Sequence, residues 1–121
     1  MANILILEDT ESYAKLLSFI ARKLGHNVVS FTKPSDAIKQ NMIKYADLII
    51  SDFEMDDEET ALDLLEYLKN NTILKPVIIN SGMANVNKII EDAGYDNFVN
   101  FYADKLGNVQ YFKELITNTL A

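Results

Sequence analysis

The chain has 121 residues, 18 of them acidic and 11 basic, for a formal charge of −7, and a balance this acidic argues against nucleic acid or an anionic membrane as a direct partner. It contains no cysteine, which removes disulfides and thiol catalysis and suits a reducing cytoplasm. The 49% apolar content can fill one core, no run approaches the ~18 apolar residues of a membrane span, and Met1-Ala2-Asn3 lacks the basic start of a signal peptide.

A cytoplasmic single domain over residues 1–121 is therefore expected. Ile4-Leu5-Ile6-Leu7 predicts a short buried strand that ends at Glu8-Asp9. A helix should start near Glu11 and turn Leu16, Leu17, Phe19, Ile20 and Leu24 inward, with Gly25 at a left-handed cap. Val28, Val29 and Phe31 make a second strand, and Pro34 suits the first turn of a helix through Ala37, Ile38 and Met42. Leu48 to Ser51 is nearly all apolar, as in a strand covered on both faces, and it stops at Asp52.

After the acidic run Asp56-Asp57-Glu58-Glu59, a third helix carries Leu62, Leu64, Leu65 and Leu68 into the turn Lys69-Asn70-Asn71-Thr72. Pro76 opens a fourth strand, where its missing N–H does little harm, and that strand runs through Asn80 to Ser81. Ile89, Ile90 and Ala93 predict a short helix stopped by Gly94. A fifth strand over Asn97–Tyr102 leads to Lys105, and the last helix places Val109, Phe112, Leu115 and Ile116 on one face. Strand and helix alternate throughout, which predicts an α/β fold with a parallel sheet of five strands and five helices.

A parallel sheet gathers the carboxyl ends of its strands along one edge, where ligands bind. Glu8, Asp9, Asp52, Ser81 and Lys105 fall at or just beyond such ends. Magnesium takes one or two carboxylates, several waters and a phosphate oxygen, so Asp9 and Asp52 can hold it while Glu8 acts through a water. The cation would relieve repulsion among the carboxylates and draw charge from an incoming phosphoryl group, leaving an Asp52 oxygen to attack in line. Lys105 would pair with the phosphoryl oxygens and Ser81 would donate a hydrogen bond to one. Each residue alone has a plainer reading: an acidic helix start that suits the dipole, a turn serine before Gly82, a surface lysine. The chemistry rests on four strand ends presenting this set in one order.

Those same segments resemble the receiver domain of bacterial response regulators. Asn3-Ile4-Leu5-Ile6-Leu7-Glu8-Asp9-Thr10-Glu11 is similar to the family's first strand and acidic pair, and Asp47-Leu48-Ile49-Ile50-Ser51-Asp52-Phe53-Glu54-Met55 to its third strand, phospho-acceptor and following methionine. The resemblance implies a doubly wound, flavodoxin-like sheet in the order 2-1-3-4-5. It further implies that Asp52 is phosphorylated by a histidine kinase or histidine phosphotransfer protein. Mg2+ would be held by Asp9, Asp52 and the Glu54 backbone carbonyl, with Glu8 in the outer shell and Ser81 and Lys105 completing the site.

The sequence also departs from the family. The loop after Met55 is one residue longer and strongly acidic where proline and a glycine turn are usual, and Leu106 stands where proline usually follows the lysine. Counting forward from Ala93-Gly94 puts Phe101 in the lysine position, whereas counting back from the last helix puts Lys105 there. Lys105 is favoured because Phe112 and Ile116 then fall where the family buries that helix. The aromatic switch three residues earlier is Tyr102, or Phe98 in the other register.

The leading expectation is a stand-alone, phosphorylation-dependent signalling switch, not an enzyme, that reaches an unknown output protein through the face of the fourth helix, fifth strand and fifth helix. One alternative is a degenerate receiver that docks without phosphate, which the acidic loop and displaced lysine favour. Another is a magnesium-dependent phosphatase with an aspartate nucleophile, but Asp9 is followed by Thr10-Glu11 where such enzymes place a second acid. A flavin module fits less well, because the first strand leads into acids where a phosphate loop needs Gly, Ser and Thr.

Overall fold

A computed structural model describes residues 1–105 and 108–121; Leu106 lies outside the described residues. Five strands, β1 (Asn3–Leu7), β2 (Asn27–Phe31), β3 (Leu48–Ser51), β4 (Val77–Ser81) and β5 (Phe101–Asp104), form one parallel sheet in the order β2-β1-β3-β4-β5. The expected flavodoxin-like order is thus present. The apolar runs explain the central places: every residue of β3 is buried, as are four of the five in β1 and in β4. Strands covered on both faces have no solvent side to keep polar. Edge strands β2 and β5 each keep exposed residues.

Because successive strand residues point to opposite faces, the sheet supplies two cores. Leu5, Leu7, Ile49 and Ile79 pack with Leu64, Leu65, Leu68 and Ile90 on one side. Ile4, Ile6, Ile50 and Ile78 pack with Leu17, Ile20, Phe112 and Ile116 on the other. The helices are α1 (Glu11–Lys23), α2 (Pro34–Lys39), α3 (Met42–Tyr45), α4 (Ala61–Asn70), α5 (Val86–Asp92) and α6 (Val109–Leu120). Thr60 starts α4 by accepting from the Leu62 N–H at 3.1 Å, while the Thr60 N–H donates to Asp63 Oδ2 at 2.8 Å. This reciprocal cap satisfies donors that the first helical turn leaves open.

Several details differ from the sequence expectation. Six helices occur among the described residues rather than five, because Asn41 adopts a left-handed φ of 58° and breaks the second helix into α2 and α3. Leu16 and Phe19 face solvent, Phe19 with 58% exposure. The buried arc of α1 is Ala14, Leu17, Ser18, Ile20 and Ala21, and residues 16 and 19 fall outside it at 3.6 residues per turn. Val109, expected on the inward face of α6, is exposed in the first turn of that helix. Strand β5 starts at Phe101 rather than Asn97, because Asp96–Phe98 forms a 3-10 turn first.

Candidate functional site

Strand register builds the site. Leu7 pairs with Ser51, and Ser51 with Ile79, so the next residues Glu8, Asp52 and Asn80 form a row across β1, β3 and β4 at their carboxyl ends. The Asp52 N–H donates to Leu7 O at 2.9 Å and the Glu8 N–H to Phe31 O at 3.0 Å, which fixes both backbones to the sheet. Residues in register on parallel strands share a face. The row therefore lies on the α1–α6 side, with Ile6, Ile50 and Ile78 two positions before its members.

Lys105, one residue past β5, closes over that row. Its Nζ lies 2.8 Å from Glu8 Oε1 and 2.9 Å from Asp52 Oδ2. The remaining carboxylate oxygens are held by backbone: Thr10 N–H donates to Glu8 Oε2 at 3.1 Å, and Phe53 N–H to Asp52 Oδ1 at 2.7 Å. Asp9 completes a group of three carboxylates whose ligand atoms lie within 4.8 Å of one another. One lysine among three carboxylates leaves a deficit of positive charge in a cleft where Glu8 is 2% and Asp52 9% exposed. That deficit and an all-oxygen donor set fit a hard divalent cation such as magnesium.

Titration follows the same geometry. Burial raises the pKa of Glu8 above its ordinary value of 4.5, and the bonds from Lys105 and Thr10 offset part of that rise while the Asp52 charge adds to it. Burial works against the Lys105 ammonium, but hydrogen bonds to Glu8 and Asp52 outweigh it and raise its pKa above 10.5. Lys105 is therefore a cation in the cleft at neutral pH.

The other sequence candidates divide. Of the two lysine registers, Lys105 is the residue in the cleft; Phe101 sits on the edge strand, 43% exposed. Ser81 ends β4, and its Oγ accepts from the Met83 N–H at 3.1 Å. Ser81 and Tyr102 line one shallow cavity with Ile79, Met83 and Val86, on the opposite face from the carboxylate row. Tyr102 is an exposed residue of β5, and Phe98 sits in the preceding turn. Glu54 bridges to Thr60 through its neighbours, Met55 N–H to Glu59 O and Ala61 N–H to Phe53 O. In such a pair the central residue's own N–H and C=O point out of the ladder, so the bridge does not use the Glu54 carbonyl.

The acidic loop is tied down on its outer side. Lys33 pairs with Asp57, and the Ser35 N–H donates to Glu59 Oε1 at 2.8 Å. Asp57 and Glu58 both hold left-handed φ, at 58° and 62°.

Two residues of the site were not singled out from sequence. Tyr13 of α1 donates its hydroxyl to Asn80 Oδ1 at 2.8 Å, and its ring lies under Lys105 Nζ, 4.7 Å from centroid to nitrogen. The available signal was Asn80 itself, an amide that interrupts the apolar run Val77-Ile78-Ile79 one step before the strand ends.

The family model for the response regulator receiver domain matches residues 4–101. A search of curated proteins found no match. Among solved structures, the chain is similar to the response regulator TrrA of Thermotoga maritima, determined in complex with Mg(2+)-BeF, at 19% identity, covering 99% of this chain and 100% of that one with a TM-score of 0.82. It is also similar to the signal receiver domain of a histidine kinase from Syntrophus aciditrophicus, at 20% identity, 99% and 90% coverage and a TM-score of 0.83. A receiver domain protein from Clostridium thermocellum matches at 20% identity, 99% and 94% coverage and a TM-score of 0.82. At these identities the structures establish the fold.

Proposed function

The chain belongs to the response regulator receiver family, and from that premise we propose that residues 1–121 act as one phospho-accepting receiver, phosphorylated on Asp52 with the help of Mg2+. Receiver domains bind Mg2+ in an acidic pocket and interact with histidine kinases or phosphotransfer proteins and with output domains. The observation that carries the reading is the position of Lys105 Nζ, shared between Glu8 Oε1 and Asp52 Oδ2 beside Asp9.

Asp9, Asp52 and the Glu54 carbonyl would hold the metal, with Glu8 acting through a water. When bound, the ion supplies positive charge that offsets the carboxylates and the incoming phosphoryl oxygens. An Asp52 carboxylate oxygen attacks the phosphorus of a phosphohistidine; the O–P bond forms as the N–P bond breaks and the imidazole leaves. Lys105 then exchanges its contact with the Asp52 carboxylate for the phosphoryl oxygens, a charge-assisted bond that holds the product. Ser81 is proposed as a donor to another of those oxygens, a role compatible with Oγ accepting from the Met83 N–H but one that requires the side chain to turn toward the carboxylate row.

Tyr102 is assigned as the switch. It lies beside Ser81 in their shared cavity, so a movement of Ser81 toward phosphate would be felt at an exposed face of α5, β5 and α6, where an output protein would dock. Phosphorylation adds charge at one end of that face and shifts a two-state equilibrium. No helix among the described residues is long and apolar enough to cross a membrane, and we place the protein in the cytoplasm with its kinase.

The deciding experiment is intact-mass measurement after incubation with a small acyl phosphate and magnesium. A phosphoryl mass gain is expected. A wild-type chain that binds magnesium and gains no mass from acyl phosphate or a kinase would support the docking-only receiver, which the anchored acidic loop after Asp52 favours.

A further inference from the structure

Asn80 is 1% exposed, and its Nδ2 is a buried donor without a partner among the described residues. A buried amide left half-satisfied costs stability, so its presence calls for a reason. It sits one strand from Asp52 in the row of site residues, and its Oδ1 accepts the Tyr13 hydroxyl across 67 positions of chain. Tyr13 in turn carries Lys105 Nζ over its ring. The negative face of an aromatic ring attracts an ammonium, and the hydroxyl bond to Asn80 holds the ring against outward rotation. The chain Asn80–Tyr13–Lys105–Asp52 thus links the β4 end to the carboxylate on β3 through contacts that each fix the next.

We propose that Tyr13 and Asn80 are positioning residues: they hold the Lys105 ammonium on Asp52 and so set how fast Asp52 takes up a phosphoryl group. The inference rests on the receiver reading above and adds to it two residues that are neither metal ligands nor phosphoryl ligands in that reading. It also accounts for Asn80. A leucine there would keep the branching of the side chain in an otherwise apolar strand without an orphaned donor, but it could not anchor the tyrosine.

Two measurements test this. The first is the NMR shift of the Lys105 side-chain methylene next to nitrogen, which the Tyr13 ring current should move upfield. Tyr13→Leu should abolish that shift, while Tyr13→Phe and Asn80→Leu should reduce it. The second is the phosphorylation rate with acetyl phosphate and magnesium. Asn80→Leu and Tyr13→Leu should slow it by about tenfold, the scale of one misplaced charge-assisted contact, while Asn80→Leu raises the melting temperature. In a Lys105→Ala background neither substitution should slow it further, because both act through Lys105.

If the wild type is phosphorylated but its Lys105 shift is unperturbed, the inference is overturned. Rates equal across the variants, or losses that persist in the Lys105→Ala background, overturn it as well. A wild type that gains no phosphoryl mass while its Lys105 shift responds to both residues sinks the receiver reading and upholds the positioning. Should Asn80→Leu fail to fold, Tyr13→Phe carries the same comparison, since it removes the hydroxyl that bonds Asn80 and leaves the ring in place.

Discussion

Lys105 and Asp52 lie 53 positions apart in the chain, yet Lys105 Nζ donates to Asp52 Oδ2 at 2.9 Å. The same nitrogen reaches Glu8, so one cation ties together the ends of β1, β3 and β5. In the proposed receiver, metal and phosphoryl group would compete with this lysine for the same carboxylates, and the expected behaviour follows from that competition.

Asp52→Asn should abolish phosphorylation outright, because the amide nitrogen and oxygen cannot replace a carboxylate nucleophile. Intact mass after acyl phosphate treatment reads the result. Continued gain of one phosphoryl group in the variant would place the acceptor elsewhere.

Magnesium should stabilise the fold by relieving repulsion among Glu8, Asp9 and Asp52. At ten times its dissociation constant the gain is about 1.4 kcal/mol by mass action. Asp9→Asn should raise the metal-free stability and remove most of the response. A melting curve unchanged across millimolar magnesium would show that the three carboxylates do not form a metal site.

Stability of the metal-free protein should fall with rising pH in two windows. Glu8 has its folded pKa raised above 4.5 by burial, so its contribution is full below 4.5 and is lost as pH rises through the folded value. Lys105, held above 10.5 despite burial by its bonds to Glu8 and Asp52, contributes fully below 10.5 and loses that contribution as pH rises through its own folded value. Urea unfolding in EDTA should show Glu8→Gln without the acid-side loss and Lys105→Met without the alkaline one. Slopes identical to wild type in both variants would contradict the assignment.

Glu58→Gly should stabilise the protein by up to about 1 kcal/mol, because a non-glycine residue in the left-handed region carries a cost of roughly 1–2 kcal/mol that the freer unfolded chain of glycine partly returns. Glu58 holds φ 62° beside Asp57 at 58°. Chemical denaturation of the variant gives the answer, and a loss of stability would mean that the Glu58 side chain makes a contact worth more than the strain.

The sequence by itself determined the strands and their punctuation. Ile4 to Leu7 and Leu48 to Ser51 are so uniformly apolar that they had to lie at the centre of a sheet covered on both faces, and the acids after them then fall at its ligand-binding edge. Periodicity also separated the helical segments, but it set neither the break at Asn41 nor the outward turn of Phe19, which depend on which arc of each helix the sheet covers. Counting back from the last helix favoured Lys105 over Phe101, but only the tertiary structure gave the reason: the Asp96–Phe98 turn absorbs residues before β5 and moves the strand end along the chain. Tertiary structure alone brought Tyr13 to Asn80, a contact made through strand register and helix packing rather than through any local pattern. Local propensities act over a few residues; the site is assembled from positions that meet only once the sheet has ordered its strands.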